Sequence, residues 1–515
     1  MLTKIHDSRF TIHNWIFLSC IVHCALCINL AFGQTNTNSP YSRYGIGDLV
    51  TPAFSSNLGM GGIGIGLATP YNLNVTNPAS YASLGLTTFE GALRGNLTSL
   101  NSSTGSSEST SSASFGYFAY GFPLKTGKWG AAFGLVPYSN VGYNISTTDN
   151  SSDAGGVIYN DKGKGGVNQF FIGTGFKMLK HLRVGVNASY LFGTITQTRS
   201  MNFTDNLNYF NTRITDSRTP GDFHFDFGLQ YSLDSLKFSP SDSIVAIRNH
   251  IDFLHRQIKD MHDTLVHYEK NLSKGIDTIG AKGMISMMQD SIAHFNKQIE
   301  EQNELKNHVL RKKTKRDWTL SLGATASFTS DVKATKSSLT ELFIVSPLGF
   351  VGVKDTAQYI NSEKGTIVLP LTMGFGFSLK KGYNWIIGAD ITSQDWTTYR
   401  SFGVPDSLVG SLRYAVGAQF TPNERSLRSY WSTVQYRLGF HYTQTYVELK
   451  GTQLSDYGIS WGLGLPVRRS ISTLQLSFEL GRMGTTANQL VEVNYFRFTL
   501  GLTLNDLWFI RPKID

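Results

Sequence analysis

This sequence predicts an all-β fold: a transmembrane antiparallel β-barrel of about 14 strands, with an amino-terminal lumen plug and a periplasmic helical-hairpin insertion. Three observations predict it. The chain opens on an export signal, and no later segment reads as a membrane-spanning helix. From Leu86 onward, apolar residues alternate with small or polar ones over segment after segment. Residues 240–316 interrupt that alternation with helical periodicity.

Residues 1–33 read as the signal peptide. Lys4 and Arg9 give a weakly basic start, Trp15 to Leu30 is mostly apolar, and Ala31-Phe32-Gly33 supplies small residues before Gln34. The apolar run falls short of the roughly 20 residues that a spanning helix needs. All three cysteines, Cys20, Cys24 and Cys27, lie inside this signal. The mature chain therefore has no thiol, which excludes cysteine catalysis, cysteine metal sites and disulfides. Hydrophobic residues make up 41%, aromatic 12% and charged 16%, with 51 glycines, a composition that suits a barrel whose strands are apolar on one face only. The net charge of +9 is not a nucleic-acid signal, because the chain is exported and no basic helix carries interleaved aromatics.

Residues 34–85 form the expected plug. Ser39 to Tyr81 is glycine-rich, nearly uncharged and free of helix periodicity, and it closes on Asn77, Pro78 and Ala79. Gly59, Gly61, Gly62 and Gly64 fall in a run that formally matches a dinucleotide fingerprint. That reading needs a preceding buried strand and a following helix, whereas Pro52, Pro70 and Pro78 surround this run. Glycines that let backbone pass close to barrel walls fit the run better.

The barrel strands are expected in residues 86–239, six of them, and 317–515, eight more. Phe223, Phe225, Phe227, Leu229 and Tyr231 alternate with Asp222, His224, Asp226, Gly228 and Gln230. Leu474 to Leu480 and Phe496 to Leu504 repeat the pattern, which leaves one face for lipid and one for the lumen. Short basic turns recur at 125–128, 177–181, 380–383 and 467–470, with a longer one at 421–430. Long polar loops are expected at 99–114, 146–166, 198–219 and 329–366. Short turns face the periplasm in such barrels, and an even strand count then puts both termini there.

The insertion at 240–316 breaks that rule, because a short periplasmic turn is due at its place. Ile244, Ile247, Ile251, Leu254, Ile258, Met261 and Leu265 follow the 3-4 spacing of a coiled-coil seam, and Ile292, Phe295 and Ile299 continue it in a second helix. Two antiparallel helices of about 30 residues would reach roughly 45 Å. Six histidines lie in this arm without the i,i+4 spacing that a helical metal site favours. Arg311, Lys312, Lys313, Lys315 and Arg316 end it beside the predicted membrane surface. They suit either acidic lipid headgroups and an acidic partner, or simply a solubilising helix end.

Arg183, Asp222, Asp226, Asp390, Arg437, His441, Glu479 and Arg497 fall on inward strand positions, where pairing with one another and with the plug is expected. No nucleophile–base–acid constellation occurs, and neither a cofactor nor a metal site is expected.

Tyr41-Ser-Arg-Tyr-Gly-Ile-Gly-Asp48, Gly59-Met-Gly-Gly62, Asn77-Pro-Ala-Ser80, Phe420-Thr-Pro-Asn423 and Asn505-Asp-Leu-Trp-Phe-Ile-Arg511 resemble the long-chain fatty-acid transporter superfamily of outer-membrane barrels, in its Bacteroidetes-type branch. The resemblance covers the mature chain apart from the arm. It implies a cell outer membrane location, an amino-terminal plug before the Asn-Pro-Ala turn, and fourteen strands enclosing a route for hydrophobic molecules. The same superfamily is similar to barrel components of the type IX secretion machinery, which hold protein partners. Two functions follow: a plugged channel for passive uptake of hydrophobic small molecules, or a non-conducting scaffold that docks a periplasmic or outer-membrane protein through residues 240–316. Either would contact outer-membrane lipids, and neither is an enzyme.

Overall fold

A computed structural model of the chain describes residues 39–150, 156–204, 209–233, 242–274, 280–314, 318–345, 351–382, 384–424, 426, 428–468 and 470–506. The expected signal peptide lies outside the described residues, as do Lys315 and Arg316.

The alternating segments form fourteen antiparallel strands. They are β1 (Thr87–Ser102), β2 (Ser107–Lys125), β3 (Trp129–Asp149), β4 (Val157–Lys177), β5 (Leu182–Phe203) and β6 (Asn211–Leu233), then β7 (Trp318–Ser327, resuming at Ser330–Val345) and β8 (Val351–Leu369, resuming at Thr372–Lys381). There follow β9 (Trp385–Gln394), β10 (Ser411–Phe420), β11 (Gln435–Leu449), β12 (Thr452–Pro466), β13 (Thr473–Met483) and β14 (Val491–Asp506). The sheet closes where β14 pairs with β1, from Val491↔Ser102 to Asp506↔Thr87. Closure gives each strand a neighbour on both sides along most of its length, so the barrel has no free outer strand whose backbone groups lipid would leave unpaired.

Side chains obey the period-two reading. In β6, Phe223, Phe225, Phe227, Leu229 and Tyr231 are exposed on the outer wall while His224 and Gln230 are buried inside. Exposed apolar rows are what a bilayer covers. The expected long loops are different: most of 99–114, 146–166, 198–219 and 329–366 is strand. In these stretches β4 to β8 continue well past the apolar band. Water replaces lipid on the outer face there, so the apolar alternation fades while Ser, Thr and Tyr keep the backbone extended. The loss of pattern marks the end of the membrane, not the end of the strand.

Inside the barrel, residues 39–86 carry a 3-10 helix (Pro40–Arg43), a two-residue strand (Asp48–Leu49), a single helical turn, α1 (Ser55–Leu58), and a second 3-10 helix (Pro78–Ser83). This segment supplies the apolar core that the lumen lacks. Tyr41 and Ile46 pack with Trp396, Tyr399, Leu408 and Tyr446 towards the long-strand end. Phe54, Leu73, Tyr81 and Leu84 pack with Tyr117, Ala119 and Phe171, and Met60, Ile63 and Leu67 with Ala415.

Between β6 and β7, at the short-turn end, run α2 (Asp242–Ser273) and α3 (Ala281–Thr314). Ile247, Ile251, Leu254 and Leu265 are buried, and Ile258, Met261, Ile292, Phe295 and Ile299 are half-buried, while their neighbours are mostly exposed. The seams thus face each other. Ile244 lies within α2, and Arg311, Lys312 and Lys313 within the last turns of α3. Phe253, Val266, Met284, Met287 and Leu305 stay exposed. Among the described residues no helix is long and apolar enough to cross a membrane.

Candidate functional site: the occupied lumen

A belt of glycines lets the amino-terminal segment lie directly on the wall. Gly121, Gly130, Gly175, Gly185, Gly228, Gly323, Gly376, Gly388, Gly417, Gly439, Gly462 and Gly501 come one each from β2 to β12 and from β14. A Cβ at any of them would meet the segment between Ser55 and Tyr81. Several are register partners: Gly130↔Gly175, Gly175↔Gly185 and Gly185↔Gly228 run across four neighbouring strands, and Gly388↔Gly417 and Gly417↔Gly439 across three. The contacts are backbone to backbone in places. Gly439 faces the Met60 carbonyl carbon and the Gly61 nitrogen, and Gly462 faces the Cα of Gly59.

The sequence-predicted plug residues share this seat. Gly61 and Gly62 have φ of +71° and +80°, a left-handed path that suits glycine, and Gly61 passes against the backbone of Val416 and Phe440. Gly64 donates its N–H to Asp390 Oδ2 at 2.6 Å, and Ile65 donates to the same oxygen at 2.9 Å. Asn77 is fully buried and caps the 3-10 helix at Pro78, its Oδ1 accepting the Ala79 N–H at 3.1 Å. Its Nδ2 donates to Ile65 O at 2.8 Å and to Leu229 O of β6 at 3.1 Å. One side chain therefore joins cap, loop and wall.

Other lumen groups complete the anchoring. Gln230 donates to Ile65 O and Leu67 O, Arg413 to Gly61 O, and Ser378 to Gly66 O. Lys380 donates to Ala68 O, Glu90 accepts the Leu73 N–H, and Ser460 accepts the Gly61 N–H. At the far end the Tyr41 hydroxyl donates to Val491 O and accepts from Val491 N, and burial pushes its pKa up, so it stays a neutral donor.

The remaining inward charges pair mainly within the wall. Arg437, nearly buried, donates to Gln419, Gln435 and Gln475. His441 lies 3.4 Å from Asp456 and 3.8 Å from Glu479, and Arg497 lies 3.3 Å from Glu479. Asp226 sits 3.4 Å from His224, Asp222 accepts the Lys333 N–H, and Arg183 donates to Ser232. Arg94, Arg413, Arg497, Asp456 and Glu479 border a cavity of about 400 Å³ above the belt. Glu90, Arg94, Arg413, Asp456 and Lys380 are missing from the sequence-derived set. The same alternation reaches them, since Glu90 and Arg94 sit between outward Phe89, Leu93 and Leu97. Among the described residues no group of three or more metal-binding side chains gathers.

The cavity also reaches the wall. Pairing between β2 and β3 ends at Phe118↔Leu135, and above it β2 pairs with β1 alone. The facing edge of β3 is taken by the amino-terminal segment, which pairs Asp48↔Asn140 and Leu49↔Ser139. Ser112, Ser114 and Phe115 on one side of the split and Pro137 and Tyr138 on the other line the cavity.

The family model described as BamG matches residues 15–261 and 307–515. The chain belongs to the BamG family. This BamG-family chain is also similar in structure to the toluene transporter TodX of P. putida, at 13% identity and a TM-score of 0.51, covering 89% of this chain and 100% of that one. The toluene transporter TbuX of Ralstonia pickettii (11%, TM-score 0.48, covering 88% and 99%) and a FadL homologue of Pseudomonas aeruginosa (10%, 0.48, covering 89% and 99%) are further structural relatives. No curated protein matches the chain. The TodX likeness at this identity speaks for the fold alone, and with the family match it supports an outer-membrane barrel. The family match omits 262–306, the outer part of the hairpin, so that length belongs to this BamG-family chain beyond the shared pattern.

Proposed function

We propose that the protein is a closed outer-membrane platform for a protein assembly, with residues 34–85 as a fixed plug and the hairpin at 240–316 as the element that docks a partner. The observation that carries the reading is the glycine belt. Main chain seated on twelve strands at once cannot slide aside without breaking many buried contacts together. A plug held this way serves as the barrel's core. The hairpin buries its seams against each other and still leaves Phe253, Met284 and Met287 exposed, a surface that a partner could cover.

The test is purification from native membranes with the hairpin intact and with residues 242–314 replaced by a short turn. A specific protein lost with the hairpin supports the platform. The same proteins in both samples would remove the hairpin from the account.

A second reading, passive uptake of hydrophobic small molecules past the plug, is favoured by the split between β2 and β3. An apolar molecule could leave or enter the cavity sideways there, and TodX, the structural relative, is a toluene transporter. Uptake lost on deleting residues 39–60, with the hairpin dispensable, would select this reading.

A further inference from the structure

We infer that the short-turn face of the barrel is a ring-shaped binding surface for anionic phospholipid headgroups of the periplasmic leaflet. The membrane boundary at this end is fixed by register. Trp318, Lys381, Trp385, Phe420 and Tyr436 are consecutive cross-strand partners from β7 to β11, with the Lys381 ammonium 5.5 Å from the centre of the Trp318 ring. On the opposite wall Trp129 pairs with Phe176. Aromatic rows of this kind sit at the headgroup level of a bilayer.

The turns just beyond that row carry exposed cations: Lys125 and Lys128 between β2 and β3, Lys180 between β4 and β5, Arg428 between β10 and β11, and Arg468 between β12 and β13. Among the described residues none of the five is in an ion pair, and the described residues of these turns include one acid, Glu424. Every one of these turns also presents an apolar side chain. Met178 and Leu179 are each 63% exposed, Trp431 is 65% exposed, and Trp129 and Val467 are exposed as well. A cation beside an outward apolar group matches a phospholipid at its interface, with phosphate above and glycerol and acyl chain below.

The distribution decides between lipid and protein. A protein partner faces one sector of a barrel, whereas these turns are spread from β2 to β13, around most of the circumference. The surrounding leaflet is what touches them all. Each basic residue near an anionic surface contributes about 1 kcal/mol, or roughly fivefold in local lipid preference.

The test uses the purified full-length protein in bilayers of phosphatidylcholine and phosphatidylglycerol, with either lipid brominated, and reads tryptophan quenching as a relative binding constant. The wild type should prefer phosphatidylglycerol severalfold, and raising salt from low to about 1 M should weaken that preference, because screening shortens to about 3 Å. Replacing all five residues by glutamine should bring the constant close to one, with heat-modifiable mobility on gels showing that the barrel is folded. A wild-type constant of one, a preference that ignores salt, or a folded five-fold variant that keeps the full preference would each overturn the inference. If that variant fails to fold, K125Q/K128Q alone, expected to lose part of the preference, carries the same decision together with the salt series.

Discussion

Gly439→Ala probes the belt at a single atom. The new methyl group would point from β11 into the amino-terminal segment, at the Met60 carbonyl carbon and the Gly61 nitrogen, both backbone. No rotamer change can relieve such a clash, so the segment must lift off the wall. Overpacking of this kind costs about 1–3 kcal/mol. Lifting Gly61 also strains its N–H bond to Ser460 Oγ, 2.8 Å long, and the Arg413 bond to Gly61 O, also 2.8 Å. Each contributes about 1 kcal/mol. The expected total is about 3–5 kcal/mol, felt by the segment before the barrel. Limited proteolysis of folded protein should cut residues 39–86 markedly faster, and the gel-monitored thermal transition should fall by several degrees. Gly352→Ala is the control, since its Cβ would come no nearer than 3.8 Å to Ile344. Equal protease resistance in the two variants would refute the claim that the belt seats the segment.

Asn77→Ala removes a cap and two buried donors, and should loosen residues 39–86 by about 2–4 kcal/mol, read as faster proteolysis with the barrel intact. Asp390→Asn keeps an acceptor for Gly64 and Ile65 but weakens both bonds by losing the charge. About 1–2 kcal/mol of the same protection should go, while Asp390→Ala should lose more. Leu254→Ala opens a gap in the hairpin seam, where Leu254 is 2% exposed. It should cost about 2–5 kcal/mol, seen as helical ellipticity melting earlier while the β signal and the barrel's mobility on gels are unchanged. In planar bilayers the purified wild type should show no steady conductance, and deletion of residues 39–86 should produce it.

The barrel was legible because membrane strands write their two environments into alternate residues. Phe223 to Tyr231 needs no partner to declare which face meets lipid. The strand extensions beyond the membrane were hidden for the same reason: the outer face there meets water in place of lipid, and from Val351 to Glu363 water lies on both sides, so no apolar alternation is required. The hairpin seam from Ile247 to Leu265 was readable at 3-4 spacing because burial there is local. The glycine belt was not. Gly175, Gly185 and Gly228 become neighbours only through register, and register is set by closure of the whole sheet. The segment's hydrogen bonds to Gln230, Glu90 and Arg413 were invisible likewise, because a nearly uncharged loop contributes only backbone groups to them.

The platform account meets its most direct test in native membranes. The full-length protein and a version with residues 242–314 replaced by a short turn would be crosslinked in place, purified and compared by quantitative mass spectrometry. The account predicts a protein crosslinked to the hairpin in the first sample and missing from the second, with the barrel folded in both. An identical protein complement in the two samples, together with a hydrophobic compound bound in the lumen of both, would contradict it.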